Sequence, residues 1–144
     1  MSNEGKKLKR LSNREIEKEA IRYVLDYLKD ENAIRPKKGA DIISKGRHIE
    51  VKGCLKKATN LRMSEQMLKS VEGAGKLKKG SFFIYYVFDI ASGNPKLMIF
   101  DYDTFDRFKF EEKKLLIQPQ KIKNKTGKPE VIDLKSCEKV PRKQ

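Results

Sequence analysis

The sequence predicts an α/β fold in which a mixed, mostly antiparallel central sheet is flanked by helices. Three observations carry that expectation: an apolar stripe at helical spacing near the start, a hairpin pattern behind it, and an unbroken apolar run in the middle of the chain.

The helix comes first. Ser12 followed by Glu15 has the spacing of a capping box, and Ile16, Ala20, Tyr23, Val24, Tyr27 and Leu28 then recur along one face as far as about Asp30. Arg35-Pro36-Lys37-Lys38-Gly39 reads as a basic, turn-forming connector. Two strand-like runs follow, residues 40–44 and 47–52, and the Lys45-Gly46 pair between them predicts a tight hairpin. Residues 56–62 read as an irregular basic loop. A short helix is expected to open at Ser64, carry Met67, Leu68 and Val71, and end at Gly73. The seven apolar residues from Phe82 to Phe88 predict a buried strand, and residues 96–100 a second one beyond the Gly93-Asn94-Pro95 turn. Residues 103–116 are expected to hold one more helix. From Gln118 apolar residues thin out and lysines accumulate, which predicts a loosely attached basic arm with an edge strand at 131–134. The expected organisation is a domain over residues 1–117, with a basic lead at 1–11, and a basic arm over 118–144.

Composition narrows the function. Of 144 residues, 34 are Lys or Arg and 20 Asp or Glu, giving a net charge of +14. Charged residues make up 38% of the chain, against about 25% in an ordinary soluble domain. No apolar run is long enough to span a bilayer, and the basic N-terminus has no apolar segment behind it, so neither a membrane partner nor secretion is expected. Cys54, Cys137 and His48 are the only cysteines and histidine, too few for a Cys/His zinc site or a disulfide framework. A cytoplasmic protein that binds a polyanion is the expectation, because each phosphate neutralised by Lys or Arg releases counterions. A Lys-rich surface that serves only solubility is the blander alternative.

The hairpin suggests chemistry. With Lys45 and Gly46 as loop residues, Ser44 faces Arg47, Ile43 faces His48, Ile42 faces Ile49 and Asp41 faces Glu50. Opposed side chains in an antiparallel pair have Cβ atoms about 4.5–5.5 Å apart, so two carboxylates would stand together and require a positive partner. Alternation puts His48, Glu50 and Lys52 on one strand face and Ile49 and Val51 on the other, towards the core. A hard divalent cation such as Mg²⁺ binds through one or two carboxylates with phosphate oxygens and waters, and a lysine beside it can orient an attacking water. On a helical wheel Glu17 falls between Val24 and Leu28, inside the apolar stripe, where an acid is costly unless paired or metal-bound. Glu17 as a stripe-edge residue reaching solvent, and Glu50 with Lys52 as an ordinary solvent-facing strand face, are the competing readings. His48 reads as a bystander near the rim and Cys54 as a small core or boundary residue.

Glu17 on a first helix, Gly39-Ala40-Asp41-Ile42-Ile43, Ile49-Glu50-Val51-Lys52-Gly53, Ser64-Glu65-Gln66 and the strand from Phe82 follow one another in an order that resembles the PD-(D/E)xK nuclease-like superfamily. More specifically, they resemble the C-terminal domain of NO VEIN-type proteins, over roughly residues 14–102. The resemblance implies a restriction-endonuclease-like core and a metal-dependent hydrolysis of DNA phosphodiester bonds. It implies Asp41 and Glu50 as ligands of Mg²⁺ or Mn²⁺, the Val51 carbonyl completing the metal shell, and Lys52 as the catalytic lysine. Glu17 would match the first-helix acid, a further candidate ligand, and Gln66 the polar residue of the following helix, with Glu65 competing for that role. Ala40 stands where a proline often precedes the first acid. The basic residues Arg35, Lys37, Lys38, Arg47, Lys56, Lys57 and Arg62 would hold the nucleic-acid backbone. DNA is the expected partner, with RNA left open, and a homodimer is compatible with cutting both strands of a duplex. The rival expectations are a basic nucleic-acid-binding module that keeps the fold without cutting, and an interaction protein assembling on RNA.

Overall fold

The computed structural model describes residues 11–37, 40–63, 81–109 and 116–134. The short helix expected from Ser64, with Glu65 and Gln66, lies outside them, as does Lys38.

The first helix, α1 (Asn13–Leu28), begins where its sequence signal places it. The Ser12 hydroxyl accepts the Glu15 N–H, and the Glu15 carboxylate accepts the Ser12 N–H. Lys29 closes the helix in the left-handed conformation at φ 51°. Ile16, Ala20, Ile21 and Val24 form its buried face.

Five strands make the main sheet: β1 (Ile42–Ser44), β2 (Arg47–Gly53), β4 (Phe82–Phe88), β5 (Lys96–Asp101) and β7 (Ile132–Asp133), in spatial order β1-β2-β4-β5-β7. The hairpin has the expected register, Ile42 with Ile49, Ile43 with His48 and Ser44 with Arg47. Lys45 and Gly46 both take positive φ, 49° and 79°, as a two-residue hairpin turn of the favoured twist requires. β2 pairs with β4 in parallel, and the other neighbours pair antiparallel. The sheet is therefore mixed, and the unbroken apolar run of β4 reflects its place in the middle, covered on both faces.

Each face has its own core. On one, Ile49 and Val51 of β2 join Tyr85, Val87 and Leu97 beneath Ile16, Ala20, Ile21 and Val24 of α1. On the other, Ile84, Tyr86 and Phe88 of β4 with Met98 and Phe100 of β5 pack under Tyr102 and Phe105 of a second helix, α2 (Tyr102–Phe108). No helix among the described residues is long and apolar enough to cross a membrane.

Three expectations need correction. The helix expected over 103–116 is the seven-residue α2; its N-cap is Asp101, whose carboxylate accepts the Thr104 N–H at 2.8 Å, and Lys109 leaves it in an extended conformation. Leu116 lies instead in a short strand, β6 (Leu116–Ile117). That strand pairs with β3 (Leu61–Arg62), so the end of the supposedly irregular basic loop is also a strand. Finally, residues 118–134 are not a loose arm. Helix α3 (Pro119–Thr126) buries Ile122 to 3% exposure in the second core, β7 adds to the sheet edge, and Leu134 joins the first core. A few apolar residues suffice because the helix has only a narrow strip to cover; Lys121 and Lys125 stay exposed, and the half-buried Lys123 donates to the Pro129 carbonyl at 3.0 Å.

Gly53, the last residue of β2, permits the close seating of α1. A Cβ built there would lie 2.7 Å from the Ala20 Cβ and 3.2 Å from the Ile16 carbonyl oxygen. Gly53→Ala is therefore expected to destabilise the fold by about 1–3 kcal/mol, the cost of overpacking a tight contact. Urea unfolding measures it, and an unchanged midpoint would mean that α1 does not sit this close to β2.

Candidate active site

The hairpin ladder ends at Ile42, and the site begins where it stops. Asp41 is outside β1. Its N–H donates to the Ile49 carbonyl at 2.9 Å, one residue short of the ladder register. This pinch turns its carboxylate onto β2, where Oδ2 accepts the Val51 N–H at 2.8 Å. The N–H and C=O of one strand residue point towards the same neighbour, so the Val51 carbonyl faces the same edge.

Glu50 and Lys52 share the opposite strand face from Ile49 and Val51, as alternation predicts. The parallel register sets them beside Ile84 and Tyr86 of β4. Glu50 is only 6% exposed, and the Lys52 Nζ lies 3.3 Å from its Oε1. Burial pushes the Glu50 carboxyl up to about 7; the Asp41 charge adds to the rise, Lys52 opposes it, and Glu17 contributes least. Asp41 is raised too, again by burial, against the pull of the Val51 N–H, Lys52 and Arg35. Asp41, Glu50 and Lys52 are thus brought together as two carboxylates sharing one ammonium group. The donor set is made of hard oxygens, which suits Mg²⁺ or Mn²⁺, and a divalent cation would supply the missing positive charge.

Of the two readings of Glu17, the structure shows the stripe-edge one. It is exposed rather than core-facing, and it lines a shallow cavity of about 190 Å³ with Asn13, Lys52 and Gly53. Among the described residues no three His, Cys, Asp or Glu side chains are grouped to hold a metal ion. Glu17 is therefore a neighbour of the pair, on the Lys52 side, because α1 crosses the end of β2 where Gly53 has no side chain.

The basic residues divide. Arg35 is exposed beside the site, and its Nε donates to the Asp41 carbonyl at 2.9 Å. Lys37, Lys56, Lys57 and Arg62 are exposed. Arg47 does not belong with them. Its guanidinium stacks on the Phe83 ring at 4.4 Å and Nη1 donates to the Tyr85 hydroxyl at 3.2 Å, on the α1 side of the sheet. The odd positions of β2 face that way, and Arg47 starts the strand that Lys52 nearly ends, roughly 17 Å apart at about 3.3 Å per residue. His48 is half-buried at the start of β2 and Cys54 packs at the core boundary.

Sequence reasoning missed Tyr86. Its hydroxyl accepts the Ala58 N–H at 2.7 Å and so pins the chain leaving β2 over the same face as Lys52. Only the parallel β2–β4 register reveals it, and no local signal encodes that register.

The electrostatics have a measurable consequence. Glu50 has a folded pKa above its ordinary value of 4.5, so the folded chain holds a proton that the unfolded chain releases. Its contribution to stability is whole at pH 4.5 and below, and is lost as pH rises towards about 7, by on the order of 3 kcal/mol. In EDTA, Glu50→Gln is expected to be more stable than wild type at pH 8 and to lack this slope; parallel pH profiles for the two proteins would refute the buried pair.

Neither a curated protein nor a solved structure matches the chain. The model of the family described as Protein NO VEIN, C-terminal, matches residues 10–100. That span runs from the start of α1 through nearly all of β5 and contains Glu17, Asp41, Glu50 and Lys52. It covers well over half of the sequence, and so the chain belongs to the NO VEIN C-terminal domain family.

Proposed function

We propose that this protein is a metal-dependent nuclease that hydrolyses DNA phosphodiester bonds. The observation that carries the proposal is the buried Glu50 beside the half-buried Asp41, with the Lys52 ammonium 3.3 Å from Glu50, set in a chain of net charge +14. Basic surroundings bring phosphate to an acidic centre that would repel it if left alone.

Asp41, Glu50 and the Val51 carbonyl are the oxygens we assign to Mg²⁺ or Mn²⁺. Such a cation, when bound, offsets charge on the scissile phosphate and makes water a better nucleophile. The other roles fall to side chains. Asp41 is held in place by the Val51 N–H, which fixes one oxygen and leaves the second for a ligand. Lys52 orients the attacking water and stabilises charge gathering on the phosphate. Glu17, on the open side of Lys52, is a positioning residue for that ammonium group rather than a ligand. Arg35, Lys37, Lys38, Lys56, Lys57 and Arg62 hold the backbone and carry no base readout.

A second reading, a nucleic-acid-binding module that does not cut, is favoured by one observation: no three metal-ligating side chains are grouped among the described residues. The two readings part in one assay on supercoiled, linear, single-stranded and branched DNA. The nuclease is expected to nick with Mg²⁺ or Mn²⁺ and to stop in EDTA. Asp41→Asn and Lys52→Ala are each expected to lose activity by on the order of 10²-fold or more while retaining DNA binding. Purified wild type that binds DNA and never nicks it with either metal would leave the binding module as the function.

A further inference from the structure

We propose that α3 and the loop after β2 form an extended phosphate-binding track that carries the nucleic-acid strand away from the Asp41–Glu50 site. The inference rests on the proposed nucleic-acid partner but not on cleavage.

The track is defined by the sheet face. Glu50 and Lys52 lie level with Ile84 and Tyr86, and Ile84 and Tyr86 belong to the core that Ile122 of α3 covers. The acidic pair and α3 are thus on the same side of the sheet. The Tyr86 hydroxyl holds the Ala58 N–H at 2.7 Å, so the loop leaving Lys52 runs over this face towards α3. There the Gln118 Nε2 meets the Asn60 Oδ1 at 3.2 Å. Between loop and helix lies a cavity of about 290 Å³ lined by Lys57, Thr59, Gln118, Gln120 and Lys121. At the other end of α3 a second cavity, of about 270 Å³, is lined by Thr104, Arg107, Phe108, Thr126 and Lys128. Asp101 also borders this one, with its carboxylate engaged by the Thr104 N–H.

Apart from Asp101 at the second cleft, charge along the loop and α3 is one-sided. Residues 54–63 contain Lys56, Lys57 and Arg62 and no acid, and residues 119–129 contain Lys121, Lys123, Lys125 and Lys128 and no acid. α3 is eight residues long, roughly 12 Å, which is the axial span of three to four nucleotides of one strand at about 3.4 Å each. Two cation-and-hydroxyl clefts at that separation fit backbone phosphates three to four nucleotides apart on one strand. Phe108, with Arg107 and Lys125 against its ring at 5.1 and 5.8 Å, adds an apolar wall on which a base can stack. The loop after β2 lies within residues 10–100 of the family match, whereas α2 and α3 lie beyond them.

The test is the salt dependence of DNA-oligonucleotide binding by the full chain, followed by fluorescence anisotropy in EDTA. Three charge-matched double variants are compared. Lys57→Gln with Lys121→Gln removes the first cleft's cations, and Arg107→Gln with Lys128→Gln the second's. Lys18→Gln with Lys29→Gln removes the same charge from exposed positions of α1, on the opposite side of the sheet. Each cleft variant is expected to bind a single-stranded oligonucleotide about tenfold more weakly at 0.1 M salt and to lower the slope of log K against log salt by roughly 1.4, for two lost phosphate contacts. The α1 variant is expected to keep the wild-type slope, as is Lys57→Arg with Lys121→Arg. A slope lowered equally in all three, or unchanged in either cleft variant, would overturn the track. So would competition by a poly-glutamate peptide as effective as that by unlabelled DNA. Asp41→Asn keeps the slope whatever its effect on cleavage, so failure of the track and failure of the nuclease reading are told apart.

Discussion

Parallel pairing of β2 with β4 sets Glu50 and Lys52 level with Ile84 and Tyr86, and the rest of the site depends on that alignment. Had β2 run the other way, its polar face would meet a different part of the apolar strand, and the loop from Gly53 would leave at the opposite end of the sheet. With the observed register, the same strand buries Ile49 and Val51 beneath α1 and presents Glu50 to the second face. Burial of Glu50 and attachment of the exit loop through Tyr86 have a common cause.

Asp41 adds a second constraint at β1's end. Once the ladder stops at Ile42, its carboxylate satisfies the Val51 N–H that β1 would otherwise have engaged. A ladder hydrogen bond is replaced by a side-chain one, and the replacement leaves an acid beside Glu50. Both carboxyls are raised by burial, and neither Lys52 nor Arg35 restores them. The fold stores electrostatic cost at one point of an otherwise basic molecule, as ligand sites commonly do.

Local signals were readable in the sequence, and long-range ones were not. The capping box at Ser12 and Glu15, the Lys45-Gly46 turn and the apolar run from Phe82 each act within a few residues, so they appear in the sequence at the right places. The shared face of Glu50 and Lys52 follows from strand alternation, which is local as well, whereas Asp41 leaves the ladder one residue before the turn arithmetic would pair it with Glu50. The two readings of Glu17 could not be separated from the sequence, because a wheel assumes that the whole stripe is covered, whereas α1 overhangs the end of β2. Arg47 was misjudged because proximity in sequence hid its position on the other face. The strand pairing of Leu116 depends on Arg62, more than 50 residues away, and the docking of Ile122 on a core assembled from several elements, which its lysine-rich surroundings masked.

The edges of the sheet bear on how copies of this protein can meet. Beyond β1, Ile34 and Ile43 exchange both backbone hydrogen bonds at 2.8 Å, so that edge is largely occupied. At the far side β7 has two residues, one of them Asp133, whose carboxylate lies 3.5 Å from the Lys96 ammonium. Short, charged or covered edges resist strand addition. A long polyanion gathers many copies of a basic protein at high local concentration, the condition in which open sheet edges seed aggregates. Among the described residues, both edges of the main sheet are therefore poor templates for the crowded copies to extend by strand pairing.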